Sequence, residues 1–180
     1  MQRVAFRSIA AAAAFAAAMC VLPSAQAARS RTVLSDDFEN IPAASWSFAG
    51  EGTHYEDFGR ELGSPHSGIL QAELAVWGPG WSSVGRPVQI NTDGSNPSLC
   101  SASFYLLSVT DSLVNVEVID PSTWTYATVQ QVQAGHDWAR YSSGWWTPGA
   151  TDVFVRVSVL GGDNDGENRV MVDDMQVTCY

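Results

Sequence analysis

Apolar and polar residues alternate along much of this chain with a period of two. From Ser112 to Asp120, Val114, Val116 and Val118 alternate with Asn115 and Glu117. From Asp152 to Leu160, Val153, Val155, Val157 and Val159 alternate with Phe154, Arg156 and Ser158. β-Branched residues on one side and other types on the opposite side predict half-buried strands. SLCSASFYLLS, GILQAELAV, TYATVQQVQ and RVMVDDMQV are further strand candidates. The clusters WGPGW, NTDGSNP, IDPS, QAGHD, TPGA and GGDNDGEN predict turns between them. No helical period is sustained beyond the leading segment. Short strands separated by Gly/Pro turns predict an all-β fold, an antiparallel β-sandwich of jelly-roll type. Residues 28–32 are expected to be a frayed start.

The leading segment changes the picture of where the domain begins. Arg3 and Arg7 precede an apolar run from about Ile9 to Leu22, and Ala25-Gln26-Ala27 follows. That layout predicts a secretory signal peptide over residues 1–27. The run is shorter than the roughly 18 residues of a membrane span; the alternative is an uncleaved anchor. A single domain is then expected over 28–180, secreted to the extracellular side. Cys20 would leave with the leader. Cys100 and Cys179 remain, and an oxidising compartment favours their pairing. Two buried free thiols are the alternative.

Charge narrows the partners. The chain has 19 acidic residues against nine basic ones, a net charge of −10, and every basic residue is Arg. Nucleic acid and anionic membranes both demand a positive surface, so neither is expected as a partner. An acidic chain suits solubility outside the cell, or a cation.

Two stretches break the alternation. In VMVDDMQV, Asp173 and Asp174 stand side by side in an apolar strand, although Asp competes with the backbone for hydrogen bonds. Either they serve a cation, or one faces water at a β-bulge. In VWGPGW, Trp77 and Trp81 flank Gly-Pro-Gly, which cannot continue a regular strand. The two indoles either stack a ligand or cover a sheet end. A pyranose presents a face of C–H groups to flat apolar plates and needs directional polar groups for its hydroxyls. Arg156, Asn115 and Glu117 supply such groups, and Trp124 and Tyr126 add aromatic surface, which together make a candidate glycan cleft. Trp46 is expected in the core. Trp145 and Trp146 are adjacent, so one should be buried and the other exposed. Asp163, Asp165 and Glu167 in GGDNDGEN lack the spacing of an EF-hand and read as a hairpin tip. His54, His66 and His136 lie in unrelated contexts, and neither H-E-x-x-H nor G-x-S-x-G occurs. No catalytic group is singled out, so the chain is not expected to be an enzyme. A polysaccharide-degrading enzyme would need two carboxyl groups facing across a cleft.

DDFEN with SWSF, then HSGILQAEL, then DWARYSSGWWTPGATDVFVRVSV, and finally VMVDDMQV occur in that order. This order resembles the carbohydrate-binding modules of the family 4, 9, 16 and 22 group, galactose-binding-type jelly rolls. The resemblance implies a secreted, non-catalytic module that stacks a polysaccharide or other glycan on exposed Trp residues. It also implies a structural Ca²⁺ where the first and last strands meet. Glu39 and Asp173 would supply side-chain oxygens, and the turn near Ser64 and Ser67 would add backbone oxygens. Trp138, before Arg140 and Tyr141, would be a structural core residue. DDFENIPAASW also resembles MAM and cleaved-adhesin modules, which implies adhesion to a cell-surface protein instead.

Overall fold

A computed structural model describes residues 30–91, 94, 96–162 and 166–180. The expected signal peptide lies outside the described residues, as do Asp163 and Asp165 of the expected hairpin tip. Nine strands follow in order: β1 (Arg31–Asp36), β2 (Ser47–Gly59), β3 (Gln71–Gln89), β4 (Cys100–Ser108), β5 (Leu113–Asp120), β6 (Thr125–Gln133), β7 (Ala139–Trp146), β8 (Asp152–Leu160) and β9 (Glu167–Cys179). One turn of 3-10 helix, Pro42–Ala44, lies between β1 and β2. Every pairing is antiparallel. The expected β-sandwich of jelly-roll type is therefore observed.

Hydrogen bonding runs β6-β5-β8-β3-β9-β4-β7, with β1 added to β9 and β2 added to β3. The path folds into two layers because β3 changes partner midway. Its residues from Ala72 to Trp77 pair with β9. Its residues from Trp81 to Gln89 pair with β8. β2 follows β3 through the change, with a register shift between Glu51 and Thr53. At the opposite edge, Thr128 of β6 donates to the Ser143 carbonyl of β7 at 2.8 Å and ties the layers together.

The expectation that WGPGW forms a turn between strands is thus corrected. It is the crossing point inside one 19-residue strand. Gly78 and Gly80 take φ values of 67° and 143°, which strain any residue with a Cβ. They put a bulge into the ladder opposite Gly52 and so allow the strand to bend from one layer to the other. The first residues also differ from expectation. Arg31 is not frayed but pairs with Cys179 at the start of β1.

Alternation accounts for the core. Val114, Val116 and Val118 of β5 and Val153, Val155, Val157 and Val159 of β8 face inward from one layer. Ala102, Phe104, Leu106, Val170, Val172 and Val177 face them from the other. Burying one such side chain contributes roughly 1.5–3 kcal/mol. Phe38 and Trp46 close one end, with ring centroids 4.5 Å apart. Cys100 and Cys179 stand opposite each other on β4 and β9 and form a disulfide, with Cα atoms 4.1 Å apart. They are 79 residues apart in sequence, a loop whose closure stabilises by roughly 4 kcal/mol in the chain-entropy account.

Candidate functional site

The polar residues that alternate with the core valines meet on the outer face of the first layer. Register sets them side by side. Arg156 lies between Gly85 of β3 and Glu117 of β5. Ser158 lies between Ser83 and Asn115. The Arg156 Nε donates to Glu117 Oε2 at 2.5 Å, and the Ser158 hydroxyl donates to the same oxygen at 3.3 Å. Asn115 Nδ2 reaches the other carboxylate oxygen at 3.4 Å, and Gln131 Nε2 in turn donates to Asn115 Oδ1 at 3.3 Å. Glu117 is only 2% exposed although it points away from the core. Its charge is met by the guanidinium that covers it.

That guanidinium also lies 5.3 Å from the centroid of the Trp81 ring. The cation–π contact and the ion pair fix Arg156 from two sides, which leaves the indole backed by a held positive charge. Further along the face, Trp124 packs against Phe154 with centroids 5.8 Å apart and remains 65% exposed. Trp124 has a φ of 55°, in the left-handed region, as part of the turn after β5. Trp81, Arg156, Glu117, Asn115 and Trp124 are therefore brought together on one surface.

Two residues of the expected cleft fall elsewhere. Trp77 is on the other side of the crossing, paired with Glu167 and Thr53. It alternates with core-facing Leu74 and Val76, on the side of Glu73 and Ala75 in the second layer. Among the described residues no ring contact joins it to Trp81. Tyr126 is exposed at a sheet end, where it lines a separate cavity of about 220 Å³ with Asp120, Trp146 and Val153.

The acidic pair of β9 has two fates. The ladder between β4 and β9 shifts register between Asp173 and Gln176, and Asp174 takes a φ of 45° there. This bulge turns both carboxylates toward residues 64–70. Asp173 is fully buried, and its Oδ2 accepts from the Ser67 amide at 3.0 Å. Its Oδ1 accepts from the Asp174 amide at 2.7 Å. Burial pushes the Asp173 carboxyl up to about 6, with these amides opposing the rise and the neighbouring Asp174 carboxylate adding to it. Asp174 accepts from the Ser67 hydroxyl at 2.8 Å and pairs with His66 Nδ1 at 2.5 Å. His66 stacks on Tyr105, with centroids 3.6 Å apart.

Glu39 approaches the same turn from the other end of the chain. Its Oε1 accepts from the amides of Ile69 and Leu70, each at 2.7 Å. Gly68 has a φ of 58°, and the Glu39 carboxylate occupies the space that a Cβ there would need. Two carboxylates, one of them fully buried with no cationic side chain bonded to it among the described residues, thus converge on one turn. This is donor chemistry suited to a hard cation. Among the described residues no group of three or more acidic, His or Cys side chains could hold a metal. A cation here would need main-chain oxygens to complete its shell. The Ser64 carbonyl accepts from Trp138 Nε1 at 3.1 Å. Trp138 is half-buried and outside the core cluster, which corrects its expected place in the core. It pins the turn instead.

The residue reading missed one feature, a cavity of about 430 Å³ on the outer face of the second layer. Its lining includes Arg140, Trp145 and Tyr180. Trp145 is 54% exposed while Trp146 is buried in the core, as adjacent strand positions require.

No family model matches the chain, and no curated protein does either. Solved structures do. TmCBM61, solved in complex with β-1,4-galactotriose, is 12% identical with a TM-score of 0.60, over 82% of this chain and 97% of that one. The CBM22-1 xylan-binding domain from Paenibacillus barcinonensis Xyn10C is 11% identical with a TM-score of 0.58, over 83% and 94%. The K3 cleaved adhesin domain of Lys-gingipain from Porphyromonas gingivalis is 18% identical with a TM-score of 0.54, over 83% and 99%. At these identities the likeness concerns the fold. This chain has the jelly-roll β-sandwich that carbohydrate-binding modules share.

Proposed function

We propose that the protein is a secreted, non-catalytic glycan-binding module whose ligand lies on the outer face of the first layer. The observation that carries this reading is the Trp81 indole backed by Arg156, itself held by buried Glu117. The indole offers an apolar plate to a sugar ring. Asn115 and Gln131 offer directional amides beside it, and Trp124 offers a second plate. Glu117 is committed to an ion pair and is buried, so it is poorly placed to act as a general acid or base. The relatives in fold include modules solved with a galactotriose and named for xylan binding, which supports a polysaccharide as ligand. The disulfide supports an oxidising compartment. No described helix is long and apolar enough to cross a membrane.

A structural Ca²⁺ belongs to the same reading. Glu39 and Asp173 would hold it with backbone oxygens near Ser64 and Ser67, and it would pin the first and last strands to the 64–70 turn. A bound divalent charge would remove the cost of the desolvated Asp173 carboxylate.

The glycan site is tested by native affinity gels containing β-1,4-galactan, xylan or mixed-linkage β-glucan. Retardation of the parent protein is expected in at least one gel. Trp81→Ala should weaken it at least about tenfold, or roughly 1.4 kcal/mol, with an unchanged far-UV spectrum. The adhesin domain of similar fold keeps a second reading in view, binding to a cell-surface protein. Adhesion takes over if no polysaccharide retards the parent.

A further inference from the structure

The opposite face of the sandwich carries a separate constellation. The cavity of about 430 Å³ there is lined by Ser101 and Ser103 of β4, Arg140, Ser142 and Trp145 of β7, and Gln176 and Thr178 of β9. A second cavity of about 190 Å³ continues it, sharing Arg140 and Gln176 and reaching Tyr105 and Asp174. Together they form a groove across three strands. Exposed Trp145 meets exposed Tyr180 edge to face at one end, with centroids 5.3 Å apart. Arg140 stands at the other end: a bulge in β7 keeps both on one face, and they pair with Ser101 and Tyr105, four residues apart on β4, or roughly 13 Å at about 3.3 Å per residue. The floor between them is a ladder of hydroxyls.

Arg140 differs from the arginines that the fold neutralises. Arg86 pairs with Asp36, Arg156 with Glu117 and Arg169 with Glu167. Arg140 forms no ion pair among the described residues. Its Nε and Nη2 donate to the Ser103 hydroxyl at 3.0 and 2.8 Å, and Nη2 also donates to Gln176 Oε1 at 2.5 Å. These neutral acceptors fix the guanidinium plane and leave the Nη1 edge without a hydrogen-bond partner among the described residues. Asp174, the nearby carboxylate, is engaged by His66 and Ser67. A held guanidinium edge in an open groove suits a carboxylate in a fork geometry. An exposed indole at the other end suits a sugar ring.

We propose that this groove is a second, independent binding site, and that its ligand is an acidic oligosaccharide segment. A uronate carboxylate sits on Arg140, and a ring further along the chain stacks on Trp145. Overall charge argues that such binding is local: a chain of net charge −10 repels a polyanion at long range, so retention requires specific contacts.

Polygalacturonate and glucuronoxylan are the probes, run in native affinity gels with the parent, Trp81→Ala, Trp145→Ala, Arg140→Gln and Arg140→Lys. The parent and Trp81→Ala are expected to be retarded equally by at least one of them. Trp145→Ala and Arg140→Gln should each weaken that retardation at least tenfold, and Arg140→Lys should restore it only in part. Carboxyl-reduced polysaccharide should bind the parent and Arg140→Gln alike. Trp145 is more than half exposed, so its loss should leave the melting temperature unchanged. The proposal is overturned if neither acidic polysaccharide retards the parent, if Trp81→Ala alone abolishes retardation, or if Arg140→Gln binds as the parent does. Failure of the first-layer site would appear separately, as loss of neutral-glycan binding that Trp81→Ala does not change.

Discussion

Glu117 and Asp173 are both buried carboxylates on central strands, and the protein completes them differently. Glu117, on β5, receives a guanidinium from the neighbouring strand β8. Asp173, on β9, receives backbone amides, those of Ser67 and its own neighbour among them, and no cationic side chain among the described residues. A partner of full opposite charge compensates desolvation far better than neutral donors do. Burial accordingly holds the Asp173 carboxyl up at about 6. The first carboxylate is completed by a charge from within the chain, whereas the second is the one beside which we propose a cation.

The comparison is broken most directly at Glu117. Glu117→Ala leaves Arg156 half-buried without its counter-charge and should destabilise the domain by about 3 kcal/mol or more. Urea unfolding measures this. A loss below about 1 kcal/mol would mean that Arg156 is stabilised by Trp81 and solvent alone, and the contrast with Asp173 would collapse.

Calcium sharpens the other side. A chelator should lower the melting temperature of the parent and excess calcium should raise it, since a ligand that binds only the folded state stabilises by mass action. Asp173→Asn should abolish the response. Coinciding melting curves for the parent with chelator and with calcium would remove the site.

The pH dependence follows from the sign of the Asp173 shift. The folded carboxyl, at about 6, holds its proton more tightly than the ordinary value of 3.8. Below the ordinary value both folded and unfolded chains are protonated, and the residue imposes no penalty. Between the two values the unfolded chain ionises first, so its penalty grows until about pH 6 and then stays constant. In chelator, the parent should therefore lose ground to Asp173→Asn between about pH 4 and pH 6. A pH-independent difference in melting temperature would contradict the burial argument.

The smallest effect is expected at Trp138. Trp138→Phe keeps an aromatic ring beside His66 but removes the indole donation to the Ser64 carbonyl. A stability loss of about 1 kcal/mol is expected, with a weakened calcium response. A loss of several kcal/mol would return Trp138 to the core.

Much of the fold was legible locally. The valine alternation marked β5 and β8, and shorter patterns marked parts of β3, β4, β6 and β9. β1, β2 and β7 were not marked. They lie at sheet margins, each paired with a single strand, so their sequences are not required to alternate cleanly. In β2, Ser-Phe-Ala-Gly-Glu-Gly-Thr carries two glycines, which weaken the strand signal further.

The candidate sites were legible in part. Arg156, Asn115 and Glu117 stand opposite core valines, so alternation alone put them on an outward face. It could not say that Trp81 joins them while Trp77 does not. That depends on β3 crossing between layers at Gly-Pro-Gly, and a bulge that breaks a strand locally looks the same in sequence as a turn that ends it. The groove around Arg140 and Trp145 was hidden for a related reason. Its floor comes from three strands far apart in sequence, and its hydroxyls carry no pattern of their own.

The sequence by itself determined which residues alternate, which valines form the core, and that Cys100 and Cys179 can pair. These rest on local periodicity and residue chemistry. Only the tertiary structure decided that β3 belongs to both layers, that the paired tryptophans are separated, and that Glu39, Ser67 and Asp173 meet at one turn. Such meetings arise from strand register across long sequence separations, where a shift of one residue would turn every side chain to the other face.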